Sequence, residues 1–159
     1  MEIFMTNSII GQTAPDFILQ ADDSSMFDSK SLHGNWRVIF FYSSHNSPTC
    51  KRGCLTFKEQ YELFKLSGFS VVGIGPGSFE KLKEFKESIG DLPFPLLTDV
   101  DRTVGTLYGI SKHLGQFPAK SSFVIDPENK IRFVYDWLFR PRKHVAKIMS
   151  EISNISGGE

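Results

Sequence analysis

At 159 residues, with 40% hydrophobic and 13% aromatic side chains and 15 Phe among them, the chain has enough material for one domain around a substantial core. Eighteen Lys and Arg balance eighteen Asp and Glu, which leaves no basic excess for nucleic acid and no charge run for an anionic membrane. No apolar run approaches the ~18–20 residues that span a bilayer, and the composition excludes disorder, a collagen-like repeat and a disulfide-stapled secreted scaffold. The start, Met1-Glu2-Ile3-Phe4, has neither a basic segment nor a continuous apolar one, so a cytoplasmic location is expected.

In chain order, residues 1–35 are punctuated by Gly11, Pro15, Asp22-Asp23 and Gly34. Short strands are predicted near 16–20 and 25–28, with a turn over Ser29–His33. Val38-Ile39-Phe40-Phe41-Tyr42 is a continuous run of β-branched and aromatic residues, the pattern of a strand buried on both faces. Ser43 to Pro48 reads as a loop. The helix predicted next carries Cys50, Cys54, Phe57, Tyr61 and Phe64 on one stripe and ends at Gly68. Ser70 to Ile74 is a second buried strand. Ser78 caps a helix in which Phe79, Leu82, Phe85 and Ile89 alternate with Lys and Glu. Leu96-Leu97 is a short extended stretch and Val104–Tyr108 a short helix. Ser122–Ile125 and Ile131–Tyr135 form a hairpin about Asp126–Lys130, and a last helix buries Val145, Ile148, Met149 and Ile152. Parallel βαβ units followed by an antiparallel pair predict a three-layer α/β domain with a mixed central sheet flanked by helices, over residues 1–159 with its core at about 8–152.

The two cysteines carry the chemistry. They fall just after the first central strand and at the start of its helix, at the carboxyl end of a strand, where open α/β sheets place their sites. In a reducing compartment a close pair is redox-active or metal-binding rather than a structural staple. Backbone N–H groups at a helix start and the positive end of its dipole stabilise a thiolate at Cys50, and Lys51 and Arg52 add positive charge. Cys54, one turn on, shares the Phe57/Tyr61 face, where a small buried side chain is the plain alternative to a reactive thiol. Side chains at i and i+4 of a helix have Cβ atoms ~5–6 Å apart, whereas a disulfide needs ~3.5–4.5 Å. A Cys50–Cys54 disulfide therefore demands distortion of the first helical turn.

Other constellations are weaker. His33, His45, His113 and His144 are scattered, and two cysteines with His45 make a thin metal site, so no metal and no cofactor are expected. Gly73-x-Gly75-x-Gly77 lacks the spacing of a dinucleotide or phosphate loop and reads as a tight strand-to-helix turn.

Gly11-Gln-Thr-Ala-Pro15-Asp16-Phe17 and the Val38–Tyr42 strand leading to Cys50 resemble the peroxiredoxins. So do Val71-Val72-Gly73-Ile74-Gly75-Pro76, Pro93-Phe94-Pro95-Leu96-Leu97-Thr98-Asp99, Tyr108-Gly109-Ile110 and Ser122-Phe123-Val124-Ile125-Asp126. The nearest branch is the Q-type, or bacterioferritin comigratory protein, group, and the resemblance covers about residues 8–152. It implies a thioredoxin-like fold and a thiol peroxidase acting on hydrogen peroxide and organic hydroperoxides. Cys50 would be the peroxidatic nucleophile, oxidised to a sulfenic acid, and Cys54 the candidate resolving cysteine. Thioredoxin or a similar dithiol would recycle a monomer or homodimer.

Against the family pattern Pro-x-x-x-Thr-x-x-Cys, the chain reads Ser43-x-x-x-Ser47-x-x-Cys50. Ser47 keeps the hydroxyl that would hydrogen-bond the peroxide, without the methyl group that restricts its rotamer. Ser43 lacks the rigid, apolar shield of proline. Lys120 stands at the position of the family's arginine, keeping the charge without the planar fork. Tyr42, Ser43, Pro48 and Thr49 are the expected pocket residues. The group's usual nearby resolving cysteine lies five residues on, whereas Cys54 lies four on. Two other readings compete: a thiol–disulfide oxidoreductase with weak peroxidase activity, and a copper-binding module of the SCO kind, using the Cys-x-x-x-Cys spacing with His113.

Overall fold

The structure is a computed structural model that describes residues 9–44, 48–110, 121–136, 146–151 and 153–154. Among the described residues seven strands form one mixed sheet: β1 (Ile18–Ala21), β2 (Met26–Asp28), β3 (Trp36–Phe41), β4 (Phe69–Pro76), β5 (Leu96–Asp99), β6 (Ser121–Ile125) and β7 (Ile131–Asp136). Their order across the sheet is β2-β1-β5-β4-β3-β6-β7. The helices are α1 (Pro48–Leu66), α2 (Phe79–Ile89) and α3 (Thr103–Leu107), and residues 146–151 are also helical. β3 pairs parallel with β4 and β4 with β5, while β6 runs antiparallel to β3 and to β7. This is the predicted succession of βαβ crossovers followed by a hairpin.

The apolar run in β3 is continuous because both faces of the sheet are covered. Successive strand side chains point to opposite faces, so Val38, Phe40 and Tyr42 enter one core with Cys54, Phe57 and Phe64 of α1 and Leu82 and Phe85 of α2. Ile39 and Phe41 enter the other, with Phe17, Val104, Tyr108 and Phe123. Each fully buried side chain of this size contributes about 1.5–3 kcal/mol, so a one-residue slip of β3 would exchange the two cores and is strongly disfavoured.

Three expectations shift. The turn at 29–33 is a 3-10 helix, Ser29–Leu32, capped by Asp28, whose carboxylate accepts from the Lys30 N–H at 3.0 Å. Pro48 opens α1 instead of closing the loop before it, because its fixed φ and missing N–H suit a first helical turn. Gly73 and Gly75 lie inside β4, not in a turn. A Cβ on Gly73 would stand 2.5 Å from Cζ of Phe40, and one on Gly75 2.1 Å from Cε2 of Tyr42. The two glycines are seats for aromatic rings of the neighbouring strand, and only Gly77, at φ 102°, belongs to the turn. In the last helix Ile148 is buried and Met149 packs against the same core; Val145 and Ile152 lie outside the described side chains.

Candidate active site

The Tyr42 N–H donates to the Ile74 carbonyl at 3.0 Å, extending the β3–β4 ladder one step beyond the strand. The chain then leaves the sheet through Ser43 and Ser44. It re-enters regular structure at Pro48, and Cys50 is the third residue of α1. The N–H groups of Thr49 and Cys50 belong to the first turn, ahead of the point where the i→i−4 ladder begins. Negative charge on sulfur or on a departing oxygen is favoured there.

Cys50 and Cys54 are free thiols, each 0% exposed. The Ser43 Oγ lies 3.6 Å from the Cys50 Sγ, within hydrogen-bond range for sulfur. Cys54 sits in the core with Phe40, Tyr42 and Phe57. Burial pushes its thiol well up from the ordinary range, and the neighbouring Cys50 adds to the effect. A sulfur held in that way stays protonated and is a poor nucleophile while α1 is intact.

Tyr42 is buried between the two layers. Its ring stacks on Phe85 with centroids 5.2 Å apart and fits against Gly75. Burial first, then the nearby Cys54, Cys50 and Asp22, raises the phenol well above its usual value, so it keeps its proton throughout the neutral range. Pro48 is exposed and Thr49 half-buried, and the Thr49 Oγ1 accepts from the Arg52 guanidinium at 3.3 Å. Asp99, at the carboxyl end of β5, accepts from the N–H groups of Val104 at 3.2 Å and Gly105 at 2.8 Å. Its carboxylate thereby anchors the start of α3.

The structure thus brings Tyr42, Ser43, Cys50 and Cys54 together, with Pro48 and Thr49 on the first turn above them. Ser47, Lys120, His45, His113 and His144 lie outside the described residues. His33 belongs elsewhere, 2.8 Å from the Asp16 carboxylate. Among the described residues no three His, Cys, Asp or Glu side chains could together hold a metal ion. Gly75, the seat of the Tyr42 ring, carries no signal of that role in the sequence: a glycine next to the end of a strand points to a turn as readily as to a close approach by a neighbouring side chain.

The pattern of the AhpC/TSA family matches residues 10–134. Peroxiredoxin Q of Oryza sativa subsp. japonica, a chloroplastic protein, is 30% identical over 146 residues, which are 91% of this chain and 67% of that one. The chloroplastic peroxiredoxin Q of Sedum lineare is also 30% identical over 146 residues, covering 91% and 78%. Among solved structures, peroxidoxin BcpB of Mycobacterium tuberculosis superposes with a TM-score of 0.81 at 26% identity, covering 92% of this chain and 97% of that one.

Proposed function

Since the chain belongs to the AhpC/TSA family and is a thiol-dependent peroxidase of the peroxiredoxin kind, we propose that Cys50 is the residue that attacks the peroxide. The observation that carries this is its place: a thiol in the first turn of α1, beyond the carboxyl end of β3, with a hydroxyl 3.6 Å from its sulfur. The thiolate attacks one peroxide oxygen, the S–O bond forms as the O–O bond breaks, and the departing alkoxide or hydroxide takes a proton from water. Sulfur is oxidised by two electrons to the sulfenic acid and the peroxide is reduced to an alcohol or water. Ser47 is the proposed hydrogen-bond partner of the peroxide, and Lys120 the proposed cation beside the thiolate.

Cys54 is the proposed resolving cysteine. Condensation of its thiol with the sulfenic acid releases water and leaves a disulfide, which a thiol reductant opens. We propose a thioredoxin-like dithiol for that step, hydrogen peroxide and organic hydroperoxides as substrates, a monomer or homodimer as the working unit, and the cytoplasm as its location. The depth of Cys54 makes unwinding of the first turns of α1 part of the resolving step. Among the described residues no helix is long and apolar enough to cross a membrane.

The test is stopped-flow Trp fluorescence of the reduced protein mixed with hydrogen peroxide, followed by intact mass. A fast phase with loss of two hydrogens, absent in Cys50→Ser, is the expected result. Gain of one oxygen with no disulfide would remove Cys54 from the resolving role. No reaction over minutes would overturn the assignment of Cys50.

A further inference from the structure

The position seven residues before the nucleophile is a proline in the family pattern and a serine here. Proline offers an apolar wall and no donor. The structure puts the Ser43 hydroxyl 3.6 Å from the Cys50 sulfur, and both ends of that contact are held independently. Ser43 follows directly on Tyr42, whose N–H is bonded to Ile74 and whose ring is fixed between Phe85 and Gly75. Cys50 is held by α1, on a side chain with no exposed surface.

Resting on the reading of Cys50 as the nucleophile, we infer that Ser43 is a further catalytic residue, whose hydroxyl donates a hydrogen bond to the Cys50 thiolate and replaces the missing proline shield by direct stabilisation of charge. In the neutral pair either atom can donate. A thiolate can only accept, so ionisation fixes the direction from Oγ–H to sulfur. A hydrogen bond to an ionised acceptor is about twice as strong as a neutral one, and in this part-buried setting it is less screened than at an open surface. Ser43 neither gains nor loses its proton during the reaction. Once sulfur carries oxygen the hydroxyl faces the sulfenic acid, a weaker acceptor; the contact therefore acts before the attack, by holding Cys50 in the ionised form that reacts.

The test uses the full chain with Cys54→Ser, so that Cys50 is the only thiol. Two readouts are taken, each across pH: the second-order rate of oxidation by hydrogen peroxide, and the ultraviolet absorbance of the Cys50 thiolate. Ser43→Ala is expected to lower the oxidation rate at neutral pH about 10-fold, the factor that corresponds to one hydrogen bond of this kind, and to move both profiles toward higher pH. Ser43→Thr, which keeps the hydroxyl, is expected to recover most of the rate. The thiolate absorbance of the protein with Ser43 intact reads the contact even if the alanine variant fails to fold: a thiolate that forms no more readily than in the urea-unfolded chain would overturn the inference. So would a Ser43→Ala protein that is oxidised within two-fold of its parent. A chain that leaves peroxide untouched, yet shows the Ser43-dependent shift of thiolate absorbance, would sink the peroxidase assignment of Cys50 while leaving the hydroxyl–sulfur bond standing.

Discussion

At Gly75 the absence of a side chain is what seats the Tyr42 ring. The Tyr42 ring occupies the space a Cβ would need, with Cε2 2.1 Å, Cζ 2.3 Å and the hydroxyl oxygen 2.7 Å from the built atom. The ring is also stacked on Phe85 and buried, so any shift of it breaks that packing. Gly75→Ala must displace Tyr42, and with it Ser43, the next residue and the hydroxyl beside Cys50. Overpacking of a filled core costs about 1–3 kcal/mol, and urea unfolding should show a loss of that size. The Cys50 oxidation rate should fall at the same time, since ~1 Å of misplacement near reacting atoms is worth about 100-fold. Gly90→Ala is a useful comparison: nothing stands within 4 Å of its Cβ, so its cost, set by φ +82°, should come without any loss of rate. Equal losses of rate in both variants would mean that Tyr42 does not position the site.

Helix α1 combines the candidate site and the core in one element, so its sequence pattern serves two demands at once. The stripe from Cys50 through Cys54 and Phe57 to Phe64 is buried as its spacing predicts, because periodicity at 3.6 residues is a local property that survives without knowledge of the partner face. Tyr61 stays half-buried against Phe94, with centroids 6.0 Å apart. The two roles of Cys54, small core residue and candidate thiol, could not be separated by spacing alone, since both demand the same face. The structure puts it at 0% exposure among aromatic rings, and this has a pH consequence. The folded-state thiol is raised above the ~8.5 of an unfolded one, so the native state binds its proton more tightly. The associated stability is fully present below pH ~8.5 and is lost as pH rises, because the unfolded chain ionises first. Under reducing conditions, unfolding free energy should fall between pH 8 and 9.5 by up to about 1.4 kcal/mol per pH unit from this group. Cys54→Ala should flatten that decline. A decline of the same slope in both proteins would show that the buried thiol does not set it.

Across the whole molecule the sheet divides chemistry from support. The site lies beyond the carboxyl end of β3, while Arg37, near the strand's other end, is 1% exposed. Burial pulls its guanidinium down from the usual range, and Tyr108, Asp16 and Asp126 nearby favour its charged form. Its Nη2 donates to the side-chain oxygen of Asn129, whose own amide donates to the Ala14 carbonyl at 3.1 Å. The Ala14 N–H donates in turn to the Asn129 carbonyl at 2.8 Å. One residue in the β6–β7 turn thus joins the amino-terminal segment to β3. No sequence pattern announced this: Asp126–Lys130 was legible as a hairpin turn from local composition, but the buried charge it serves lies 92 residues away. Local chemistry predicts turns, and only the assembled fold shows what they hold. Asn129 also has φ 65°, a conformation that asparagine tolerates and alanine does not, at about 1–2 kcal/mol. Asn129→Ala removes a hydrogen bond to a charged group as well, worth about 1.5–3 kcal/mol. At about 2–4 °C per kcal/mol for a chain of this size, the melting temperature should drop by about 5–20 °C. The distance along a six-residue strand, ~20 Å, separates this clamp from Cys50. The oxidation rate of Cys50 at 25 °C should therefore stay within two-fold of the parent, and a larger loss would show that the two ends of β3 are coupled.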